Sequence, residues 1–251
     1  MGRYKLIIAY DGTNYFGSQK QANKPTIQSA LEKALYQIGW RGNSISLAGR
    51  TDAGVHASGQ VATVQVEWLH PVDELLRALN AILPNDLAVN HIEECPENFH
   101  PRFSALSRTY LYRIYHQPVR DPARERYTWR VWPRLQADTL QTLAGSLIGE
   151  HDFAAFGTAQ KREQTTVREV KLARWFVVGD ETRFEVESNA FLYHMVRRLV
   201  YVQVAVAQGR APANKFTEMI NDPNGKGVVG LAPANGLTLT KVTYPEVFRN
   251  I

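Results

Sequence analysis

The sequence of 251 residues contains one cysteine, Cys95. A single cysteine cannot form an internal disulfide, and it cannot supply a cysteine-based zinc site. The seven histidines include no pair spaced four residues apart with an acidic residue on the same helical face, so the usual helical metal-binding pattern is missing. We therefore expect a protein that binds no metal.

Long hydrophobic runs are also absent. No stretch approaches the roughly 20 apolar residues that a membrane helix needs, and residues 1–5 lead straight into a strand-like segment without the apolar region of a signal peptide. The P-loop pattern for nucleotide phosphates does not occur either. Hydrophobic residues make up 44% and charged residues 21% of the chain, which excludes wholesale disorder. We expect a cytoplasmic globular protein without cofactor or membrane segment.

Positive charge is concentrated in one part of the chain. The overall balance is 29 Lys and Arg against 24 Asp and Glu, but residues 1–100 are slightly acidic. Residues 102–134, called the arginine segment below, hold eight arginines with only Asp121 and Glu125 among them, interleaved with tyrosine and tryptophan. Guanidinium groups bind phosphate and aromatic rings stack on unpaired bases. This pattern fits a nucleic-acid surface, or equally a solvated strand and loop whose aromatic residues lie in the core.

The order of predicted elements repeats. In residues 1–100, strands are expected at 4–10, 44–48, 60–66 and 87–93, with helices at 27–38 and 72–83 between them. In residues 101–251, strands are expected at 107–117, 166–178, 182–188 and 237–244, with helices at 135–148, 191–208 and 214–220. Each half reads β-α-β-β-α-β, the ferredoxin-like order. We predict an α+β fold of two ferredoxin-like halves, 1–100 and 101–251, forming an extended, mainly antiparallel sheet with helices packed on it.

One loop stands out between two predicted strands. Residues 49–59 contain three glycines together with Arg50, Asp52 and His56. In one interpretation Asp52 merely caps a turn. In the other, a rigid loop presents Asp52 as a nucleophile or base with Arg50 beside it, as functional residues often sit on loops of a sheet scaffold.

This loop also carries a resemblance to a known family. Residues 49–57, Gly-Arg-Thr-Asp-Ala-Gly-Val-His-Ala, resemble the signature loop of the tRNA pseudouridine synthase A family. Further blocks similar to that family follow in order along the chain: 10–17, 102–110, 149–153, 189–197 and 232–237. Two positions depart from the family pattern: Ser18 stands where tryptophan is expected, and Asn235 where histidine is common.

The resemblance implies a reaction and catalytic residues. The family converts uridine to pseudouridine: the N-glycosidic bond is broken, the base turns, and a C-glycosidic bond forms through C5, without metal or cofactor. Asp52 aligns with the nucleophile, which attacks either the uracil ring or the ribose C1′. Tyr110 aligns with a tyrosine that stacks on the target base and moves the C5 proton, and Arg50 with an arginine that holds the flipped nucleotide. Arg197 aligns with an arginine placed against the aspartate, although its helical wheel alone predicts a solvated side chain.

The resemblance also implies the substrate and the assembly. Its members act as homodimers on positions 38 to 40 of the tRNA anticodon arm. His56, Arg102 and Arg108 are additional candidates for substrate binding, the two arginines because they belong to the arginine segment. Two alternatives remain open from the residues: a non-catalytic RNA-binding module of ferredoxin-like topology, and a nucleoside hydrolase that uses the carboxylate against the same bond.

Overall fold

The computed structural model describes residues 2–159, 165–222 and 227–248, and within these ranges it is an α+β protein. The strands are β1 (Gly2–Tyr10), β2 (Ser46–Leu47), β3 (His56–Val66), β4 (Leu87–Glu94), β5 (Ser107–Tyr115), β6 (Trp129–Arg130), β7 (Gly149–Asp152), β8 (Val167–Val178), β9 (Glu181–Ser188) and β10 (Leu237–Thr243). The α-helices are α1 (Ile27–Gln37), α2 (Val72–Ile82), α3 (Ala137–Gly145), α4 (Met195–Ala207) and α5 (Ala213–Asn221). Most strand pairs are antiparallel, so the predicted fold class is confirmed. Every helix in the described ranges is too short or too polar to span a bilayer.

The chain divides into two compact units. Unit 1 comprises Met1–Ser107 with Thr238–Ile251, and unit 2 comprises Arg108–Leu237. The sequence predicted a division into 1–100 and 101–251. The largest difference lies at the C-terminal strand, because β10 runs parallel to β3 and pairs Thr238 with His56. Such a pairing between distant parts of the chain leaves no local signal in the sequence.

Unit 1 has the ferredoxin-like strand order. β1 lies between β4 and β3, and the short β2 pairs with β3. Helix α1 begins at a capping box, in which the Thr26 hydroxyl accepts from the Ser29 N–H while the Ser29 hydroxyl accepts from the Thr26 N–H; this satisfies two N–H groups that a helix start leaves open. The β1–β3 register shifts between Ile8 and Tyr10. Such irregularities commonly lie beside functional loops, and here the loop before β3 is the one that carries Asp52.

Unit 2 contains the antiparallel order β5-β9-β8-β7, with β6 as a two-residue addition to β5. Strands β6 and β7 are too short to have been predicted. The β8–β9 hairpin turns at Gly179, which adopts a φ of +61°. Helix α4 begins four residues later than predicted, because the Tyr193 N–H donates to the Thr158 carbonyl at 3.1 Å and His194 adopts a φ of +65°. A left-handed residue cannot continue a right-handed helix.

Candidate active site

The loop of residues 49–55, called the Asp52 loop below, joins β2 to β3, and its backbone is fixed on both sides of Asp52. The Thr51 N–H donates to the Ser18 hydroxyl at 2.8 Å, and the Ser18 N–H donates to the Thr51 carbonyl at 3.1 Å. Beyond Asp52, the Gly54 N–H donates to the Tyr15 carbonyl at 3.3 Å, and the Val55 N–H donates to the Asp52 carbonyl at 3.2 Å. The loop is therefore tied to the segment that follows β1.

Neutral side chains also form hydrogen bonds to the Asp52 loop. The Tyr10 hydroxyl and the Thr51 hydroxyl share a hydrogen bond of 2.9 Å. The Gln60 amide donates to the Gly49 carbonyl at 2.8 Å and accepts from the Gly49 N–H at 3.2 Å. Burial raises the pKa of Tyr10 to about 12, so its phenol stays neutral at physiological pH. These bonds hold the loop through side chains that carry no formal charge.

Two glycines let the segment after β1 approach the loop closely. A Cβ on Gly12 would lie 2.0 Å from the Val55 carbonyl oxygen, and a Cβ on Gly17 would lie 2.7 Å from the Thr51 carbonyl oxygen. Gly17 also adopts a φ of +95°, which side chains rarely allow. The contacting atoms belong to the backbone and cannot rotate away. The close packing of the Asp52 loop thus requires glycine at both positions.

Arginines lie at the edge of this loop. Arg50 is exposed, whereas Asp52 and Arg102 are half-buried. Burial lowers the pKa of Arg102, and electrostatic repulsion from Arg50 lowers it further. Arg102 still remains charged at neutral pH. Two cations therefore accompany the candidate nucleophile within unit 1.

His56 is the first residue of β3 and directly follows the Asp52 loop. It is only 5% exposed. Its Nδ1 accepts a hydrogen bond from the Gly12 N–H at 3.0 Å and lies 3.2 Å from a carboxylate oxygen of Asp11. Because Nδ1 accepts from a backbone N–H, that nitrogen carries no proton in this arrangement. The burial of His56 favours an anchoring role over direct contact with substrate.

In unit 2, the structure brings Arg108 and Tyr110 to the segment that precedes α4. Both lie on β5, two residues apart and hence on the same face of the strand. Arg108 donates to the Asn189 carbonyl at 3.0 Å. The Tyr110 ring is buried and meets the Phe191 ring edge-on, with centroids 5.1 Å apart. Phe191 therefore fixes the orientation of the tyrosine that the resemblance places on the target base.

Arg197, in the first turn of α4, is half-buried rather than fully solvated. Its Nε donates to the Ala232 carbonyl at 2.8 Å, and the Ala232 N–H donates back to the Arg197 carbonyl at 3.2 Å. Its charge also lowers the pKa of the buried Tyr112, against a larger increase caused by burial. The helical wheel missed this setting because the contacting segment lies 35 residues away along the chain.

Most of the arginine segment lies in unit 2, where four of its arginines pair with carboxylates. Arg113 binds both carboxylate oxygens of Glu181, at 2.9 and 2.7 Å, and Arg124 binds Asp180. Two further arginines, Arg120 and Arg130, pair with Glu125 at 3.0 and 3.4 Å. Asp180 and Glu181 lie outside the segment in sequence, so counting charges along the chain overestimated its excess. The segment's Tyr112 and Tyr115 are fully buried, which favours the core interpretation for these two tyrosines.

Sequence reasoning missed the residues that hold the Asp52 loop in place. Ser18 is fully buried and bonds Thr51, yet it appeared only as a departure from the family pattern. In the sequence, only the glycines at positions 12 and 17 pointed to this packing, because both fall in the block of residues 10–17 that resembles the family. Among the described residues, no group of three or more His, Cys, Asp or Glu is arranged to hold a metal ion.

Comparison with known proteins assigns the family. A family model described as tRNA pseudouridine synthase matches residues 6–104 and 143–245. The chain is 40% identical over 247 residues to tRNA pseudouridine synthase A of Myxococcus xanthus, covering 98% of this chain and 93% of the relative. It is 41% identical over 247 residues to that of Chloroflexus aurantiacus (strain ATCC 29366 / DSM 635 / J-10-fl), covering 96% and 88%.

Similarity to solved structures is weaker. The crystal structure of a Cbf5-Nop10-Gar1 complex aligns with a TM-score of 0.39 at 14% identity, covering 81% of this chain and 44% of the other, and it adds nothing to the assignment. The sequence relatives cover nearly the whole chain, and the family model covers most of it. This chain belongs to the tRNA pseudouridine synthase family and is an isomerase that acts on tRNA.

Proposed function

We propose that this enzyme converts uridine to pseudouridine at positions 38 to 40 of the tRNA anticodon arm, with Asp52 as the nucleophile. The observation that carries the proposal is the rigid Asp52 loop. Its backbone is hydrogen-bonded on both sides of the aspartate, and its neighbour Arg50 is exposed. A loop that only turned the chain would not need such close packing against Gly12 and Gly17. The anticodon-arm positions come from the resemblance to the synthase A type.

The chemistry needs an ionised carboxylate. The N1–C1′ bond of the uridine breaks, the uracil turns, and a C5–C1′ bond forms; the proton on C5 is lost and N1 gains one, so the product is an isomer. Asp52 forms a transient covalent bond either to the uracil ring or to the ribose C1′, and this bond breaks again before the product leaves, returning the carboxylate; only the carboxylate is nucleophilic. The loop is supported by a neutral phenol and a neutral amide, and a positive charge placed near a carboxylate favours its ionised form.

Other residues are proposed for handling the base. Extruding a nucleotide costs a few kcal/mol, so a side chain that fills the vacated space favours the flipped state. Arg50 is exposed and directly precedes Thr51, which anchors the Asp52 loop. This position supports a space-filling role for the Arg50 side chain. Tyr110 is proposed to stack on the uracil and to move the C5 proton, supported by the fixed orientation of its ring against Phe191. Arg197 is proposed for the role that the resemblance gives it, as the arginine placed against the catalytic carboxylate.

The test is the substitution Asp52→Asn. We expect it to fold, to bind tRNA as the wild type does, and to reduce pseudouridine formation by about 10⁴-fold or more, because loss of a nucleophile leaves only binding and orientation. Tritium release from tRNA labelled at uracil C5 measures the reaction, and filter binding measures affinity. Asp73→Asn is the matched control, since Asp73 forms only an exposed ion pair with Arg77.

Two outcomes would contradict the assignment. Wild-type conversion by Asp52→Asn would remove Asp52 from the reaction, as would an unchanged rate of tritium release. Free uracil in the wild-type reaction would indicate hydrolysis instead of isomerisation.

The homodimer implied by the resemblance is part of the same proposal. Light scattering should then give twice the mass of the chain.

A further inference from the structure

The turn of residues 99–104 in unit 1 presents an aromatic ring to solvent. Phe103 is 78% exposed, more than any other Phe, Tyr or Trp among the described residues. An isolated exposed apolar side chain is common in soluble proteins, so exposure alone does not indicate a function. The surroundings of Phe103 distinguish it from other exposed apolar residues such as Leu69, which is 88% exposed.

The turn that carries Phe103 is rigid. The Nδ1 of His100 accepts from two successive backbone N–H groups, that of Arg102 at 3.1 Å and that of Phe103 at 3.3 Å. His100 and Ser104 exchange a second pair of hydrogen bonds, at 2.9 and 3.0 Å. At the start of the turn, the Phe99 ring is buried. The position of the exposed ring is thus set in advance, which lowers the entropy that binding would cost.

One imidazole and one guanidinium group lie against the exposed ring. The imidazole of His100 lies against it with centroids 4.4 Å apart and a tilt of 36°, and the guanidinium of Arg102 lies 5.7 Å from its centroid. Arg50, on the Asp52 loop, is close enough to act electrostatically on Arg102. An aromatic face beside two positive charges suits a nucleotide, which has a flat π-system and a phosphate on either side. An apolar protein partner would leave those charges poorly solvated.

We propose that Phe103 is a stacking platform for an unpaired base close to the target uridine, and that Arg102 and Arg50 neutralise the phosphates beside that base. This inference rests on the proposed function, because it takes the Asp52 loop as the place of reaction. Stacking on an aromatic ring is available to every base and is therefore tolerant of sequence. Such a contact suits an enzyme whose target positions lie in different sequence contexts.

The experiment measures the Kd of unmodified tRNA for Phe103→Ala, Phe103→Leu and Phe103→Trp, each in the wild-type and the Asp52→Asn background. We expect Ala to weaken binding by about tenfold, within the range known for base stacking. Leu should not restore affinity, because it is apolar but has no π face, whereas Trp should remain within about twofold of wild type. Leu69→Ala is the control for loss of an exposed apolar side chain and should bind normally.

A salt titration separates the roles of the ring and its cations. Phe103→Ala should keep the wild-type dependence of log Kd on log salt concentration, while Arg102→Gln should lower that slope by about one. Normal affinity in both Phe103→Ala and Phe103→Leu would overturn the proposal. So would normal tRNA affinity combined with an altered monomer–dimer equilibrium, which would identify the ring as a protein contact.

Failure of this inference can be told from failure of the proposed function. If only the stacking contact is wrong, the wild type still shows Asp52-dependent pseudouridine formation and Phe103→Ala matches it in affinity and rate. If the proposed function is wrong, Asp52→Asn retains the activity of the wild type whatever residue stands at position 103.

Discussion

The Asp52 loop of unit 1 and the arginine segment of unit 2 are held in place by different forces. The loop is fixed by neutral hydrogen bonds and by the close approach of two glycines. The arginines of unit 2 are fixed by carboxylates, chiefly Glu181, Asp180 and Glu125. Both regions looked functional in the sequence, but ion pairs hold the second region whereas neutral hydrogen bonds hold the backbone of the first.

This difference shows why a count of charges along the chain is a poor guide to a phosphate-binding surface. An arginine that is paired with a carboxylate has less charge to offer to a phosphate, and it contributes to the fold instead. Arg50, in contrast, is exposed beside a loop whose structure does not depend on it.

Among substitutions in the scaffold, the largest effect is expected from Gly12→Ala. The new methyl group would meet the Val55 carbonyl at 2.0 Å, so the loop backbone must move. A displacement on the order of 1 Å reduces turnover by about 100-fold, and overpacking costs about 1–3 kcal/mol of unfolding free energy. Single-turnover rates and urea unfolding measure both effects. Gly145→Ala, where nothing lies within 4 Å, is the control; equal activity in the two variants would contradict the close-packing argument.

The next effect concerns stability, in Glu181→Gln. Burial opposes ionisation of Glu181, but hydrogen bonds and charge from Arg113 and Arg183 outweigh it and lower its pKa. We expect a loss of about 1–3 kcal/mol at pH 7, below the value for a fully buried pair because both arginines are partly exposed. Urea unfolding measures it, and Asp73→Asn, in an exposed pair, should lose less than about 1 kcal/mol.

The same carboxylate predicts a pH dependence. Because the pKa of Glu181 is lower in the folded state than its ordinary 4.5, its ion pairs stabilise the fold at neutral pH. That contribution decreases as the pH falls below about 4.5 and is lost once the folded-state pKa is passed. The difference in stability between wild type and Glu181→Gln should therefore shrink from pH 5 to pH 3. A constant difference over that range would argue against the ion-pair account.

A smaller effect on turnover is expected from Ser18→Ala. It removes the buried acceptor of the Thr51 N–H, and an unsatisfied buried donor costs about 1–3 kcal/mol. As a positioning residue, Ser18 should affect kcat severalfold and leave KM unchanged. Ser146→Ala, which removes a less buried hydroxyl that donates to the Leu143 carbonyl, is the control. A raised KM with normal kcat would indicate that Ser18 acts on substrate binding instead.

The smallest effect is expected from Arg124→Gln on tRNA binding. Arg124 is paired with Asp180 and lies 3.6 Å from Glu181, so its removal should leave the salt dependence of affinity nearly unchanged. Arg50→Gln should lower the slope by about one. If Arg124→Gln lowered the slope as much as Arg50→Gln does, the arginine segment would be a phosphate contact despite its ion pairs.

The sequence predicted the parts of the fold that depend on local pattern. Helix α1, with its cap at Thr26, and the hairpin at Gly179 follow from short stretches of residues. The placement of β10 beside β3 and the pairing of Arg113 with Glu181 could not be predicted, because each joins residues more than 60 positions apart. The start of α4 was also missed, since a bridge from Tyr193 to Thr158 decides it.

The candidate site shows the same division. The motif around Asp52 was visible in the sequence, and the resemblance supplied Tyr110 and Arg197. The support of the loop by Ser18 depends on packing between separate segments, and it became apparent only in three dimensions. The burial of His56 likewise could not be inferred from a glycine-rich loop that looked exposed.

The enzyme is proposed to isomerise uridines of the anticodon arm with Asp52 as its nucleophile. The most direct test of this proposal is to incubate the wild type and Asp52→Asn with unmodified tRNA and to map pseudouridine at nucleotide resolution. We predict pseudouridine at one or more of positions 38 to 40 with the wild type, and none with Asp52→Asn. Pseudouridine only at other positions, or at the same positions with both proteins, would contradict the account.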